Sequence, residues 1–291
     1  MLKAAFESLR PRQWTKNSVV FAGLVFDGQL TQLAPFLRVL GAFLLFCLFS
    51  SITYLINDLI DLPSDRQHPV KSQRPIASGR LSRPAAYAML AFLILIALPA
   101  AYFLSPRLAL IGLAYTLLML LYSKFLKHLV IIDVMTIAAG FVLRVLAGLV
   151  VITVNYFSPW LFILTMLLAL FLGFGKRYAE LKLLDQAAGT VRKVLDGYTL
   201  PLLDQYLTIV MAAIAITYML YTFSIHQNSG DMRMMLTIPF VLYGVFRYTY
   251  LMHGSGFSGP PDEVLLRDKP TLITVLLWGL TASAVLYLGA K

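Results

Sequence analysis

Charged residues are scarce in this sequence: Asp, Glu, Lys and Arg make up 13% of the 291 residues, whereas hydrophobic residues make up 59%. The mean hydropathy of +0.78 excludes an ordinary soluble globular domain. The single cysteine, Cys47, excludes an intrachain disulfide, and its apolar surroundings are typical of a small buried side chain. Linkers rich in Gly, Ser or Pro are missing, so we predict one domain over residues 1–291. These absences indicate a polytopic membrane protein.

Several familiar functional motifs are also missing. The basic N-terminus is not followed by a short apolar core with a small-residue cleavage site, so we expect no signal peptide. Cys and His residues form no cluster with zinc-ligand spacing. The run Gly254–Gly259 matches the dinucleotide fingerprint only in its letters, because it follows an apolar segment and precedes two prolines. Gly175-Lys176 lacks the spacing and the hydroxyl residue of a P-loop.

Apolar runs long enough for helices that cross about 30 Å of hydrocarbon recur along the whole chain. Helices are required because lipid offers no partner to an unpaired backbone amide, and the alternating pattern of a barrel is missing. We predict an all-α integral membrane protein, with nine transmembrane helices in one bundle around a central cavity open to the cytoplasmic side. The expected spans are 14–28, 34–56, 84–104, 107–122, 130–153, 159–178, 204–226, 234–251 and 270–289.

The positive charge of the chain is distributed unevenly along this topology. The net charge is +10, and with a cytoplasmic N-terminus most of the 24 Lys and Arg residues fall on the cytoplasmic side of the nine spans. This asymmetry follows the positive-inside rule, so we attribute the charge to the membrane and expect no nucleic-acid partner. We predict a multi-pass protein of the cell (plasma) membrane whose loops 57–83 and 179–203 share the cytoplasmic compartment.

The stretch 57–78 is the one polar segment that the membrane pattern leaves unexplained. Asn57, Asp61 and Asp65 are spaced i, i+4, i+8, and Asp58 lies three residues before Asp61, so a continuous helix would gather all four on one broad face. Pro63 should end or kink that helix inside the motif. Several carboxylates beside phosphate-binding bases suit Mg²⁺, which prefers a few carboxylates plus substrate phosphates. The alternative is a solvated polar loop that merely ends the helix.

The bases Arg66, Lys71 and Arg74, with His68, follow these carboxylates within nine residues. Arg binds phosphate through two hydrogen bonds and Lys acts as a point charge. The bases therefore favour a diphosphate ligand that is bridged by magnesium. Taken without the carboxylates, the same bases are equally consistent with ordinary cytoplasmic charge.

Further candidate binding residues flank other predicted spans. Lys16 and Asn17 lie in a basic run before the first span, and Lys124 lies in the run that follows the fourth. Both runs are consistent either with a phosphate pocket or with anchoring of helix ends. Arg144 lies inside the fifth span, where a charge must face the interior and find an anionic partner. We expect that partner in a substrate cavity, with a structural pair as the alternative.

The sixth span ends in bases and a phenol. The candidates there are Lys176, Arg177, Tyr178 and Lys182; Tyr178 and Lys182 are i, i+4 neighbours, and Lys176 and Glu180 have the spacing to pair. This composition suits an anionic substrate with a single metal motif, and a solvated helix end is the alternative.

Taken together, the motif NDLIDLPSD and the runs RPRQWTKN, HPVKSQRPIASG, YSKFLK, GFVLRVLAG and GKRYAELK resemble the UbiA-type prenyltransferase superfamily over essentially the whole chain. NDLIDLPSD is similar to its first aspartate-rich motif. Most members carry a second DxxxD motif where this chain has Tyr178-Ala-Glu180-Leu-Lys182, and that departure is similar to the phosphoribosyl-transferring branch.

The resemblance implies a membrane-embedded enzyme of cell envelope biosynthesis that transfers 5-phosphoribosyl from phosphoribosyl diphosphate to a polyprenyl phosphate of decaprenyl type. It implies that Asp58, Asp61 and Asp65 are catalytic and hold Mg²⁺, with Asn57 supporting them. It further implies phosphate-binding roles for a set of bases and one phenol: Lys16, Arg66, Lys71, Arg74, Tyr178 and Lys182.

Two other functions stay open at this point. One is a UbiA-type aromatic prenyltransferase with a polyprenyl diphosphate donor. The other is a non-enzymatic transporter or binder of an anionic lipid, which the clustering of the carboxylates at a helix end disfavours. Polyprenyl length, the number of magnesium ions and the oligomeric state are left open.

Overall fold

The structure, a computed structural model, describes residues 2–67, 70–154, 158–184, 193–229, 232–254 and 267–288. Over these residues the chain is almost entirely helical and contains no β-strand. Eight of its helices are long and apolar enough to cross a membrane. The expectation of an all-α integral membrane protein is confirmed. Nine crossings and a central cavity open to the cytoplasm stay predictions.

The described residues of the first half form six α-helices and three 3₁₀ helices. In chain order they are α1 (Leu2–Ser8), a 3₁₀ helix (Pro11–Phe21), α2 (Ala22–Phe26), α3 (Leu33–Ile60), α4 (Leu62–Gln67), a 3₁₀ turn (Lys71–Gln73), α5 (Arg83–Leu104), α6 (Pro106–Lys124) and a 3₁₀ turn (Leu126–His128).

The described residues of the second half form five α-helices and two 3₁₀ helices. They are α7 (Ile132–Leu149), α8 (Pro159–Leu184), a 3₁₀ helix (Lys193–Gly197), α9 (Leu200–Ser229), a 3₁₀ helix (Arg233–Thr237), α10 (Ile238–His253) and α11 (Lys269–Leu288). Residues 255–266, which include most of the Gly254–Gly259 run, lie outside the described residues.

Proline marks the start of most membrane helices. A proline is the first or second residue of α5, α6, α8, α9, α10 and α11. Its missing N–H costs nothing there, because the first-turn amides have no partner within the helix, and its fixed φ suits the helix start. The observed starts of these helices therefore agree with the predicted spans to within a few residues.

The first expected span, 14–28, differs from the prediction. It forms a 3₁₀ helix of 11 residues followed by the five-residue helix α2, instead of one membrane-length α-helix. A 3₁₀ helix rises about 2.0 Å per residue, more than an α-helix does. This segment packs closely against α7: a Cβ on Gly148 would lie 1.8 Å from the Val20 carbonyl oxygen.

The helices form two compact units. The first contains Met1–Leu126 and Gly140–Tyr156, and the second contains Lys127–Ala139 and Phe157–Lys291. The single domain over residues 1–291 remains a prediction.

In the first unit, α3 is the central helix and packs against the long 3₁₀ helix, α5 and α6. Its core includes the fully buried side chains of Val20, Leu24, Phe46, Phe49 and Leu108. Side chains such as Leu95 and Phe103 of α5 are exposed, as the lipid-facing side of a membrane helix requires.

In the second unit, α8 packs against α9, and α10 packs against α11. Asp268 begins α11: its Oδ2 accepts hydrogen bonds from the Thr271 backbone N–H and hydroxyl at 3.0 and 2.6 Å. Arg247 donates to both oxygens of the same carboxylate at 2.9 and 3.1 Å. These bonds, that of Arg247 above all, hold the pKa of Asp268 well below its usual range, so the cap stays charged at neutral pH.

Candidate functional site

A helix break positions the carboxylates of the motif. Helix α3 ends at Ile60, Asp61 lies between the helices, and α4 begins at Leu62. Pro63 is the second residue of α4, where a proline fits, so the predicted interruption inside the motif is confirmed. The backbone pattern nevertheless continues, because Asp61 N–H donates to Asn57 O and Asp65 N–H donates to Asp61 O, both at 2.8 Å.

Two of the three carboxylates are buried together. Asp58 and Asp65 are 3% and 1% exposed, whereas Asn57 and Asp61 are partly buried. Arg74 joins the pair: its Nη1 lies 2.6 Å from Asp65 Oδ2 and 3.1 Å from Asp58 Oδ1. The structure thus brings together carboxylates and a base that the sequence predicted for one site.

The other bases of the stretch lie at its edge. Lys71 Nζ is 4.0 Å from Asp65 Oδ1, and the Lys71 side chain is 44% exposed. Arg66, on the last turn of α4, is exposed. His68 lies outside the described residues. Lys71 and Arg66 are therefore placed to meet an anion that arrives from solvent.

One buried carboxylate oxygen of this cluster has no hydrogen-bond donor among the described residues. Asp65 Oδ1 is buried and accepts no hydrogen bond within the described part of the chain. A buried carboxylate oxygen without a donor is costly, and a cation is one of the groups that relieves that cost.

The carboxylate oxygens of this cluster suit magnesium, although the described residues do not form a complete set of metal ligands by themselves. Over the described residues, no group of three or more Asp, Glu, His or Cys side chains is arranged to hold a metal ion. Mg²⁺ does not need one, because it is usually held by one or two carboxylates together with substrate phosphates and water. Asp58 and Asp65, with Asp61 beside them, would supply those carboxylates.

Arg10 belongs to this cluster, and the sequence prediction missed it. Its Nη2 donates to Asp58 Oδ1 at 2.5 Å, across 48 residues of sequence. Its guanidinium also lies over the Tyr54 ring, 4.6 Å from the centroid. The spacing of the N-terminal run does not distinguish Arg10 from Arg12, so only the tertiary contact identifies it.

Asn17 and Arg144 meet in a second buried cluster. Asn17 is fully buried and donates to Ser50 Oγ at 3.2 Å and Cys47 Sγ at 3.4 Å. Its Oδ1 accepts a bond from Arg144 Nε at 2.8 Å. Both residues were predicted to bind substrate, and here they hold the long 3₁₀ helix to α3 and α7.

The expected anionic partner of Arg144 is replaced by neutral ones over the described residues. Besides Asn17, Arg144 donates to Gly140 O at 2.9 Å and to the Tyr115 hydroxyl at 2.8 Å. The guanidinium also lies over the rings of Tyr115 and Phe141, at 4.7 and 5.0 Å. Oxygen dipoles and aromatic faces thus solvate the charge without a carboxylate.

Lys16 and Lys124 are exposed; Lys16 lies in the middle of the long 3₁₀ helix, and Lys124 is the last residue of α6. Lys124 ends α6 and lies over the Phe125 ring at 5.2 Å, a contact that suits anchoring of the helix end.

In the second unit, Arg177 is part of a buried ion-pair network. Its Nε donates to Asp133 Oδ2 at 2.8 Å, and Arg177 and Asp133 are 3% and 0% exposed. Its Nη1 donates to Glu180 Oε2 at 2.6 Å. The predicted Lys176–Glu180 pair is therefore replaced by an i, i+3 pair, and Lys176 is exposed.

Tyr198 completes this network. Its hydroxyl donates to Asp133 Oδ1 at 2.7 Å and accepts a bond from the Ile131 N–H at 2.7 Å. Ile131 has φ 71°, an uncommon conformation for a β-branched residue. Burial, with the bond to Asp133, raises the pKa of Tyr198 well above its usual value, so the phenol stays a neutral donor.

Tyr178 and Lys182 lie on the last turns of α8, near the end of α10. Lys182 Nζ donates to Met252 O at 2.9 Å, which places its charge at the negative end of α10. The Tyr178 ring packs against His253, with centroids 5.6 Å apart. The two ring nitrogens of His253 lie 2.8 Å from Thr249 O and 3.0 Å from Asp204 Oδ1.

Comparison with known protein families gives one match over most of the chain. The sequence profile of the UbiA prenyltransferase family matches residues 18–257.

Curated relatives cover nearly the entire length. A decaprenyl-phosphate phosphoribosyltransferase of Mycobacterium tuberculosis is 32% identical over 297 residues, which covers 99% of this chain and 96% of the relative. A protein of the same name from Corynebacterium glutamicum is 34% identical over 280 residues, covering 94% of this chain and 83% of the relative.

Solved structures show a similar fold. A UbiA homolog from Archaeoglobus fulgidus bound to GPP and Mg²⁺ has a TM-score of 0.69 at 19% identity, with 97% of this chain and 99% of that chain covered. A digeranylgeranylglyceryl phosphate synthase structure has a TM-score of 0.63 at 18% identity, with 98% and 95% covered.

Proposed function

Because the chain belongs to the UbiA prenyltransferase family, we propose that this membrane transferase moves 5-phosphoribosyl from phosphoribosyl diphosphate to a polyprenyl phosphate. Diphosphate is released, and the reaction depends on Mg²⁺. We propose a decaprenyl-type acceptor, since curated relatives over almost the whole chain carry the name decaprenyl-phosphate phosphoribosyltransferase.

The choice of donor rests on one observation in the second unit. Glu180 is the only carboxylate of the run Tyr178–Lys182, and it is paired with the buried Arg177. This run therefore offers a phenol and an ammonium group where a second metal motif would need free carboxylates. One carboxylate motif and extra phosphate-binding groups suit phosphoribosyl diphosphate, which carries a 5-phosphate in addition to its diphosphate.

The carboxylates and bases of the first unit have distinct tasks in this proposal. Asp58, Asp61 and Asp65 would hold magnesium, which supplies positive charge to the diphosphate as it leaves. Arg74 fixes the positions of the two buried carboxylates relative to each other, and Lys71 and Arg66 bind phosphate oxygens at the exposed edge.

The reaction needs alignment of two anions more than it needs proton transfer. The bond from the anomeric carbon to the diphosphate oxygen breaks, and the electron pair leaves with the diphosphate. A phosphate oxygen of the lipid forms the new bond to the same carbon. That oxygen is already ionised at neutral pH, so no general base is required, and the cationic side chains mainly overcome the repulsion between donor and acceptor.

We also propose that the carboxylate motif faces the cytoplasm at the plasma membrane, with the N-terminus on the same side. The excess of Lys and Arg in the segments around the motif supports this orientation, because basic loops stay inside.

A two-donor assay tests the function. Purified protein in lipid nanodiscs receives decaprenyl phosphate and ribose-labelled phosphoribosyl diphosphate, with Mg²⁺ or with a chelator, and labelled lipid is extracted. We expect labelled lipid only with Mg²⁺. Polyprenyl diphosphate with a hydroxybenzoate acceptor forms the second arm, and product in that arm alone would overturn the proposal in favour of aromatic prenyl transfer.

Matched carboxylate variants connect the activity to the motif. Asp65→Asn should lower turnover on the order of hundredfold or more, because charge stabilisation at the leaving group is the main catalytic demand. Asp196→Asn removes the same charge from an exposed position of the second unit and should leave turnover unchanged. Full activity of a folded Asp65→Asn protein would contradict the assigned role.

A further inference from the structure

The counter-charges of the buried carboxylate pair come from two arginines in direct contact, with Lys71 Nζ farther away at 4.0 Å from Asp65 Oδ1. Arg10 Nη2 and Arg74 Nη1 both donate to Asp58 Oδ1, at 2.5 and 3.1 Å, and Arg74 also binds Asp65 at 2.6 Å. Two ionised carboxylates at this depth require two positive charges nearby. The two guanidinium groups therefore supply the positive charge that a divalent cation would otherwise supply.

Arg10 differs from Arg74 in how it is held. Arg74 bridges both carboxylates from a nearby turn, whereas Arg10 reaches a single oxygen from a distant segment; the two side chains are equally exposed. Its backbone has φ 54° and ψ 59°, a left-handed conformation that is uncommon for a non-glycine residue. Such conformations persist only where the surroundings hold them, and they concentrate at functional sites.

The Asp58 oxygen has no room for a third donor. A carboxylate oxygen offers two lone pairs, and Asp58 Oδ1 already accepts from two arginines. Asp65 Oδ1, by contrast, is buried and has no donor within the described residues. A cation that approaches Asp65 Oδ1, which Lys71 Nζ faces from 4.0 Å, competes with two guanidinium groups for Asp58 Oδ1, and Arg10 has fewer bonds to lose than Arg74.

We infer that Arg10 is a binding residue of this site that exchanges partners: a divalent cation displaces it from Asp58, and the freed guanidinium then binds diphosphate oxygens. The side chain stays within the site because its guanidinium remains over the Tyr54 ring. The second step, toward diphosphate, rests on the proposed function, whereas the displacement by a metal does not.

Metal binding without any donor tests the displacement. Mn²⁺ serves as the probe, and its free concentration is followed by electron paramagnetic resonance as it is titrated into the protein. Arg10→Gln should bind Mn²⁺ about tenfold more tightly than the wild type, the order expected when one competing charge-assisted bond is removed. Arg10→Lys, which keeps the charge but loses the planar fork, should lie between the two.

A nearby arginine provides the control. Arg12 lies two residues further along and is exposed, and within the described residues it has no contact with either carboxylate. Arg12→Gln changes the net charge equally and should leave Mn²⁺ affinity unchanged. Unchanged or weaker Mn²⁺ binding by Arg10→Gln would overturn the inference.

A measurement on the wild-type protein covers the case in which Arg10→Gln does not fold. Phenylglyoxal modifies accessible arginines, and peptide mass spectrometry reports the modified fraction at Arg10. Mn²⁺ should increase that fraction several-fold, and inorganic diphosphate added with Mn²⁺ should reverse the increase. No response to Mn²⁺ would overturn the displacement, and no protection by diphosphate would overturn the second step.

The two proposals fail separately. Displacement of Arg10 by Mn²⁺ without any phosphoribosyl transfer would leave the exchange standing and remove the proposed function. Phosphoribosyl transfer by a protein in which Mn²⁺ does not change the reactivity of Arg10 would support the proposed function and overturn the exchange.

Discussion

Arg144 carries a full charge inside α7 and is 7% exposed, with only neutral partners over the described residues. A charge at that depth is costly, so each of its hydrogen bonds contributes more than a surface bond does. Asn17 is the partner that connects it to a different segment, and Asn17 itself is held by Cys47 and Ser50. The pair therefore couples the N-terminal segment to the membrane helices.

Asn17→Ala should destabilise the protein by about 1–3 kcal/mol, because the Arg144 Nε–H would stay buried without an acceptor. Thermal unfolding of the purified protein in detergent measures the loss. The neighbouring Ser18 is exposed, so Ser18→Ala should have little effect. A full-stability Asn17→Ala protein with lost turnover would instead place Asn17 in substrate binding.

Tyr198 is a buried hydrogen-bond donor whose contribution to folding stability depends on pH. Burial and the bond to Asp133 raise its folded pKa above the unfolded value of about 10. A group whose folded pKa is raised contributes its full stability below the unfolded pKa and loses it as the pH rises through the folded pKa. The stabilisation by Tyr198 is therefore complete at neutral pH and declines only in strong alkali.

Tyr198→Phe should cost about 1–3 kcal/mol at pH 7 to 9, since Asp133 would lose a buried donor. The difference from the wild type should narrow above about pH 10, where the unfolded phenol ionises. Denaturant unfolding at several pH values measures this. Tyr87→Phe, at a side chain that is 59% exposed, is the control, and a difference that widens in alkali would contradict the assignment.

At the scale of elements, the contact between the long 3₁₀ helix and α7 depends on one missing side chain. A Cβ at Gly148 would overlap the Val20 carbonyl oxygen, a backbone atom that cannot rotate away. Gly279 of α11, also helical, has nothing within 4 Å of an added Cβ. These two glycines form a matched pair that separates steric effects from helix propensity.

Gly148→Ala should destabilise the protein by about 1–3 kcal/mol, because the backbones of two elements must move apart. Gly279→Ala should be neutral or slightly stabilising, since alanine restricts the unfolded chain. Melting temperatures of the two variants provide the comparison. Equal shifts in both would show that the close contact at Gly148 is not maintained.

Helix boundaries could be predicted from the sequence because local signals define them. The expected span 84–104 became Arg83–Leu104, and 107–122 became Pro106–Lys124, since apolar length and first-turn prolines act locally. The 3₁₀ path of residues 11–21 was missed; this segment is in close tertiary contact with Gly148, and no local pattern reveals such a contact.

Site contacts over long separations were not predictable in the same way. The carboxylates and Arg74 were found because they lie within 17 residues of each other. Arg10–Asp58 and Asp133–Tyr198 join residues 48 and 65 positions apart, so only the fold selects them among many equivalent charges and phenols. Arg177 was predicted to bind substrate for its charge, and its burial became visible only in the structure.

For the whole molecule, the number of crossings depends on residues 11–26. Eleven residues of 3₁₀ helix cover about 22 Å, and the five residues of α2 add about 7.5 Å. Their sum equals the hydrocarbon thickness of about 30 Å. We therefore predict that this segment crosses the membrane as the ninth span, with the exposed Arg12 and Lys16 in its cytoplasmic half, where their long side chains reach the lipid phosphates.

Single-cysteine labelling measures that crossing. Cys47 is 2% exposed, so the native thiol should stay unlabelled and serve as the control. Thr31→Cys should react with an impermeant maleimide in intact cells, and Lys3→Cys only after permeabilisation. Reaction of both variants under the same condition would place the two sites on one side and reduce the count to eight.

Helix α3 is longer than the membrane requires. Its 28 residues extend about 42 Å at 1.5 Å per residue, against about 30 Å of hydrocarbon. With polar Thr31 and Gln32 just before its start, we predict that the excess length lies at the far end and that Asp58, on the last turn of α3, lies at the depth of lipid phosphate groups. A lipid phosphate acceptor would then meet the carboxylates without leaving the plane of the membrane. For the proposed reaction, the search for the acceptor would then be two-dimensional, and its rate would depend on the mole fraction of that lipid in the bilayer instead of its concentration in the suspension.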